Sequence, residues 1–231
     1  MTGRAERADG PVRRVVVLGG GSAGWIAACR LAAQSRRTGG DVRVTLVESR
    51  NVPTIGVGEG TWPTMRNTLA KIGLSETDFI RSCDAAFKQG ARFVGWMDGT
   101  ADDGYYHPLN PPAGATEIDL APHWLHRSDA AASFADWVDY QAMLCDAGLA
   151  PKSIVAPEYA GHANYAYHLD AGKFATLLRD HGVGPLGVEH VLGDVVRVEV
   201  ADNGDVAHLE LADGGTVAGD LFVDCPGFAA L

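Results

Sequence analysis

The 231-residue chain is 46% hydrophobic and 21% charged, an ordinary globular composition, and its formal net charge of −10 argues against a nucleic-acid partner, which requires clustered Lys and Arg. No apolar run approaches the roughly 20 residues of a membrane helix, and residues 1–11 lack the apolar stretch of a secretory signal, so a cytoplasmic protein with no membrane partner is expected. Four scattered cysteines without a CxxC pair predict reduced packing thiols, and eight histidines without an HExxH pair, His123 and His126 standing alone outside any predicted helix, predict no metal site.

Residues 1–12 read as a polar tail and 13–231 as one domain carrying an insertion at about 50–165. The run Val15-Val16-Val17-Leu18 predicts a buried strand, and Gly19-Gly20-Gly21-Ser22-Ala23-Gly24 behind it predicts a strand-to-helix turn. In such a turn Gly19 permits the bend, Gly21 admits a pyrophosphate and Gly24 lets the helix pack on the strand, while Ser22 and Ala23 contribute N–H groups at the helix N-terminus. Helical spacing in Ile26, Ala27, Arg30, Leu31 and Ala33 follows. A second strand over 42–47 ends on Glu48, an acid placed to bind an adenosine ribose hydroxyl.

The turn formers from Asn51 through Gly56, Gly58 and Gly60 predict a loop able to lie against something flat. Thr61 is expected to cap a helix containing Pro63, Met65, Leu69 and Ile72 that stops at Gly73; Ser75 with Asp78 approximates a capping box for a second helix burying Phe79, Ile80 and Cys83. Residues 87–96 read as strand, 98–130 as loops with short strands, and 134–147 as a single helix ending at Gly148. A strand over 165–168 leads to Asp170, the expected cap of a helix through Phe174, Leu177 and Leu178. Residues 188–191, 195–200, 206–211 and 221–223 read as strands, with Asn203-Gly204 and Asp213-Gly214 as hairpin turns. Trp62, Trp96, Trp124 and Trp137 read as core or pocket-wall aromatics.

A βαβ start, a long mixed insertion, a three-stranded meander and a return strand predict an α/β fold. The type expected is a Rossmann-like FAD/NAD(P)-binding domain, as in flavin monooxygenases, with a β-meander and a helical and loop insertion, C-terminally incomplete. The return strand, ending at Asp224-Cys225-Pro226-Gly227, should come back beside the first glycine turn.

Five blocks in order narrow this further: the glycine turn with Trp25, Ile55-Gly56-Val57-Gly58-Glu59-Gly60-Thr61, Phe87-Lys88-Gln89-Gly90, and the later pair 165–171 and 220–228. Together they make the chain resemble the flavin-dependent tryptophan halogenase family over about residues 14–231. The resemblance implies an enzyme that takes reduced FAD from a separate flavin reductase, a transient partner. It reacts that FAD with oxygen and halide and makes hypohalous acid at a distance from a small aromatic substrate, tryptophan or a related indole. Lys88 would be the catalytic lysine. Cofactor contacts would come from Gly19, Gly21, Ser22, Ala23, Gly24, Glu48, Gly58, Glu59, Gly60, Thr61, Val191 and Gly227.

Lysine suits this task because an ammonium donor can position and polarise hypohalous acid, and a lysine neutralised by burial can itself be halogenated. The plainer reading of Lys88 is a solvated charge at a helix–strand junction, and of Glu59 an exposed loop carboxylate. The family's WxWxIP motif, a catalytic glutamate and its halide-binding turn would all fall after Leu231. The expectation is therefore an N-terminal part that binds FAD weakly and does not halogenate alone. Gly60-Thr61-Trp62 and Pro226 depart from the commonest family spellings and leave the choice of arene open. Two other readings stand beside it: a flavin-dependent aromatic monooxygenase in which Lys88 is dispensable, and a non-catalytic FAD-binding fragment that needs a C-terminal part.

Overall fold

A computed structural model describes residues 10–52, 56, 58–100, 102–127 and 133–227; Pro53, Thr54, Ile55 and Val57 of the expected flat-lying loop, and most of the expected tail, lie outside the described residues. The elements in chain order are β1 (Arg14–Leu18), α1 (Ser22–Arg37), β2 (Arg43–Glu48), β3 (Gly58–Gly60), α2 (Thr64–Ile72), α3 (Glu76–Ser82), β4 (Ala86–Lys88), β5 (Gly90–Val94) and β6 (Gly104–Pro108). They continue with α4 (Ala121–Leu125), α5 (Phe134–Val138), α6 (Gln141–Asp146), β7 (Ala166–Asp170), α7 (Ala171–Val183), β8 (Glu189–Leu192), β9 (Val195–Val200), β10 (Val206–Leu211), β11 (Thr216–Ala218) and β12 (Leu221–Asp224). Two compact units result: Met1–Gly58, Thr68–Asp84 and Asp170–Leu231 form the first, Glu59–Asn67 and Ala85–Leu169 the second. No helix among the described residues is long and apolar enough to cross a membrane.

In the first unit a parallel sheet runs β12-β1-β2-β8. Its inner strands β1 and β2 are mostly apolar and buried, as both their faces are covered, while the edge strands β12 and β8 are only partly buried. Val16, Val47, Leu209 and Leu211 form one buried cluster, joined by Val191 and Phe222, so the antiparallel meander β11-β10-β9 covers one face. On the other face lies α1, which α7 flanks; Gly182 lets the two helices close, since a Cβ there would stand 3.0 Å from the Trp25 ring. Phe79 of α3 meets Phe174 of α7 edge-on with centroids 5.5 Å apart.

Caps follow the local signals where the partner is local. Ser75 accepts from Asp78 N at 3.3 Å and Asp170 from Lys173 N at 2.8 Å. Thr61 does not cap α2: its hydroxyl accepts from Tyr167 N at 3.0 Å and donates to Tyr167 O at 3.2 Å, a clip between segments 106 residues apart. The strand expected over 188–191 is β8, which joins the parallel sheet beside β2 and not the meander. The meander is completed instead by β11, and Asp213-Gly214 turns into it.

The second unit contains the sheet β3-β7-β4 and the hairpin β5-β6. Gln89 divides the strand expected over 87–96: β4 pairs with β7, β5 with β6. Gly90 is required at the switch because a Cβ there would lie 2.7 Å from His107 O. The single helix expected over 134–147 is broken into α5 and α6. Asp139 takes an extended conformation between them, and its Oδ1 accepts from Asn110 Nδ2 at 3.0 Å and Gln141 N at 3.2 Å. A short α4 stands where loop was expected and carries His123; among the described residues, however, no three potential ligands gather as a metal would need.

Candidate functional site

The glycine turn at the head of α1 assigns its glycines separate tasks. Gly19 has φ +112°, closed to ordinary side chains, and a Cβ on it would stand 2.3 Å from Cys225 O; β12 has thus returned beside the turn, with Cys225 N donating to Leu18 O at 2.8 Å. Gly24 lies so close to the turn that its Cβ would sit 1.9 Å from Gly19 O. Gly21 differs: its φ of −74° and ψ of 178° suit any residue, and a Cβ would meet nothing within 4 Å. Gly21 is also the N-cap of α1 and supplies no side-chain acceptor, and no acid occupies the first turn. The first N–H groups of a helix have no partner within it, so those of Ser22, Ala23 and Gly24 are free of intrahelical bonds beside that open space, at the positive end of the dipole.

Glu48, the last residue of β2, lies against this turn. A Cβ on Gly20 would be 2.1 Å from Glu48 Cδ and 2.4 Å from Oε1, so the carboxyl group occupies space that only glycine leaves. Its Oε2 pairs with His190 Nε2 at 2.8 Å, and the His190 ring meets Trp25 edge-on at 5.1 Å. Val191 points into the core between sheet and meander, leaving main chain as what it offers a ligand. Gly227 is exposed with φ +68° and open space where a Cβ would be. The thiols of Cys29 and Cys83 are each pushed up to about 12, chiefly by burial, which makes them inert packing groups.

In the second unit Lys88 ends β4. Its Nζ donates to Thr61 O at 3.2 Å and lies 4.9 Å from the centroid of the Trp62 ring. Gly60 borders this corner: a Cβ there would be 3.4 Å from both Lys88 Nζ and the His168 ring, an ordinary contact. Next to Lys88, Phe87 packs edge-on against the buried Tyr165 at 5.2 Å, and the Arg66 guanidinium lies 4.2 Å over the Tyr165 ring.

Trp62 also borders a mainly apolar cavity of about 520 Å³ lined among others by Tyr105, His107, Leu109, Phe134 and Val138. One wall of it is fixed by a buried polar network. Gln141 Oε1 accepts from Leu109 N at 2.7 Å and Asn110 N at 2.9 Å, and Asn164 Nδ2 donates to Leu109 O at 2.8 Å.

Residues 14–231 match the family profile described as tryptophan halogenase. The chain belongs to the tryptophan halogenase family. It is 31% identical to tryptophan 6-halogenase ThaL of Streptomyces albogriseolus over 239 residues, which cover 96% of this chain and 44% of that protein. Tryptophan 7-halogenase RebH of Lentzea aerocolonigenes is also 31% identical, again with 96% of this chain and 44% of the relative covered. Among solved structures, a tryptophan halogenase from Shewanella frigidimarina NCIMB 400 superposes with a TM-score of 0.89 at 45% identity, covering 96% of this chain and 44% of that one. Xcc4156, a flavin-dependent halogenase from Xanthomonas campestris, gives 0.80 at 36% identity, with coverage of 94% and 42%. The chain thus spans about 44% of the length of the curated relatives it matches.

Within this member of the family the predicted residues divide between the units. Gly19, Gly21, Ser22, Ala23, Gly24, Glu48, Gly58, Val191 and Gly227 belong to the first; Glu59, Gly60, Thr61 and Lys88 belong to the second. Glu59 is exposed on β3, and Thr61 is buried with its hydroxyl engaged by Tyr167. Two residues escaped the sequence reading: His190, the partner of Glu48, and Trp62 as the ring beneath Lys88. For His190 the available signal was register, because a residue on the strand beside β2 falls near Glu48 only once β8 is placed there.

Proposed function

We propose that this chain is the cofactor-binding part of a cytoplasmic halogenase that uses reduced FAD, supplied by a separate flavin reductase, with oxygen and halide, to halogenate tryptophan or a related indole. The observation carrying the FAD reading is the open space at Gly21, set between two glycines whose own Cβ positions are blocked by main chain. A turn that needs glycine at Gly21 for no internal reason fits a ligand that approaches the backbone there.

Ser22, Ala23 and Gly24 would hold the pyrophosphate through main-chain N–H groups, Glu48 the adenosine ribose, and Val191 and Gly227 would add main-chain contacts. Gly58, Glu59, Gly60 and Thr61 would offer backbone to the flavin ring system. When bound, the reduced flavin supplies the electrons with which oxygen and halide yield hypohalous acid.

Lys88 would receive that acid. Its ammonium, held by Thr61 O and faced by the Trp62 ring, can donate to the hypohalous oxygen and leave the halogen the electrophilic end. The cavity bordered by Trp62, Tyr105 and Phe134 has the size and apolar character suited to a bicyclic arene. Flavin fluorescence titration tests the cofactor reading: the unmodified chain should bind FAD saturably, and Gly21→Val should lose at least a hundredfold in affinity while keeping its fold. An unmodified chain that does not bind FAD sinks the reading.

A further inference from the structure

We propose that His190 is a positioning residue that fixes Glu48 for the adenosine half of the cofactor and so makes the chain prefer FAD to a flavin lacking that half, an inference resting on the FAD reading above. The register of β2 and β8 pairs Leu46 with His190 and Glu48 with Leu192, which puts His190 and Glu48 on the same face of the sheet, the face that α1 covers. Two neighbours then confine the carboxyl group. Gly20 gives it room on one side, with Oε1 only 2.4 Å from where a Cβ would stand, and His190 Nε2 takes Oε2 at 2.8 Å on the other.

A carboxylate only accepts hydrogen bonds, so the ring nitrogen donates. The ring is itself held edge-on by Trp25, which is 1% exposed and immediately follows Gly24. One helix therefore both presents its N-terminus and orients the ring that orients the acid. With Oε2 committed to His190, Oε1 beside Gly20 is the oxygen left for a ribose hydroxyl. A glutamate held in one rotamer before binding loses less conformational freedom when the ligand arrives.

The test compares FAD with FMN, which lacks the adenosine half, by fluorescence titration of the unmodified chain, His190→Phe and His190→Gln. Phenylalanine keeps a ring for Trp25 but cannot donate; glutamine can donate from near the Nε2 position. The FAD dissociation constant should rise about tenfold in His190→Phe with that of FMN unchanged, and His190→Gln should recover most of the loss. Equal losses for both flavins, or no loss for FAD, would overturn the role of His190 and leave the FAD reading standing. Failure of the unmodified chain to bind FAD overturns both. If melting curves show His190→Phe unfolded, the ratio is read from His190→Asn, whose amide is too short to reach Oε2; an unchanged ratio there has the same adverse meaning.

Discussion

At the glycine turn the groups left open are main-chain N–H groups, whereas at the Lys88 corner an ammonium, an indole ring and a histidine come together. The first is produced by removing side chains until the backbone can bend and close, so its chemistry cannot be separated from the packing of α1 on β1. The second hangs on a sheet whose pairing of Lys88 with Ala166 is main chain to main chain, so its side chain can change while the strand remains. A site made of backbone is broken by adding atoms; one made of side chains is broken by taking them away.

The largest effect should come from Gly24→Ala. Its added methyl would meet Gly19 O at 1.9 Å, a main-chain atom that cannot turn aside, and denaturant unfolding should show a loss of about 3 kcal/mol. Gly21→Val, three residues earlier, should leave that unfolding curve nearly in place and abolish FAD binding. If both variants unfold alike, the division of labour among the glycines is wrong.

Lys88→Met sharpens the other half of the comparison. Loss of its hydrogen bond to Thr61 O and its contact with Trp62 should cost about 0.5–1 kcal/mol. FAD affinity should stay as it was, while halogenated product, read by mass spectrometry with reduced FAD, oxygen and bromide once a C-terminal part is supplied in trans, should vanish. Product formation that survives the change would return Lys88 to an ordinary surface charge.

The smallest effect concerns the strand edge and is read through pH. Asp220 is held at about 2, below its usual 3.8, first by the side-chain hydrogen bond from Arg14 and then by the N–H groups of Arg13 and Arg14. Because the folded value lies below the unfolded one, this stabilisation is present above about pH 4 and is lost as pH falls toward about 2. The melting temperature of Asp220→Asn should therefore lie slightly below that of the unmodified chain at neutral pH and converge with it over that window.

What was legible in the sequence was what depends on neighbours in the chain. The β1–α1 turn, the Ser75 and Asp170 caps and the apolar periods of β1, β2 and β10 are each set by a few adjacent residues, and the return of β12 to Gly19 followed from topology. What escaped depends on distant partners. Thr61 resembles a cap until Tyr167 takes its hydroxyl, and 134–147 resembles one helix until Asn110 draws Asp139 out of it. His190 acquires a role only when β8 is laid beside β2. At the candidate site the same division holds: the glycines were legible from their spacing, while the surroundings of Lys88 were not.

The Arg14–Asp220 pairing also sets a schedule for synthesis. The two residues are 206 positions apart, so β1 leaves the ribosome long before β12 and gains it as a neighbour only after those residues have been added. At about 5–20 residues per second that interval is roughly 10–40 s. Throughout it one edge of a very apolar strand has its hydrogen-bonding groups uncovered, the condition under which nascent chains pair with one another. Chaperone supply during expression, more than the final stability of the sheet, should thus govern how much soluble protein is recovered.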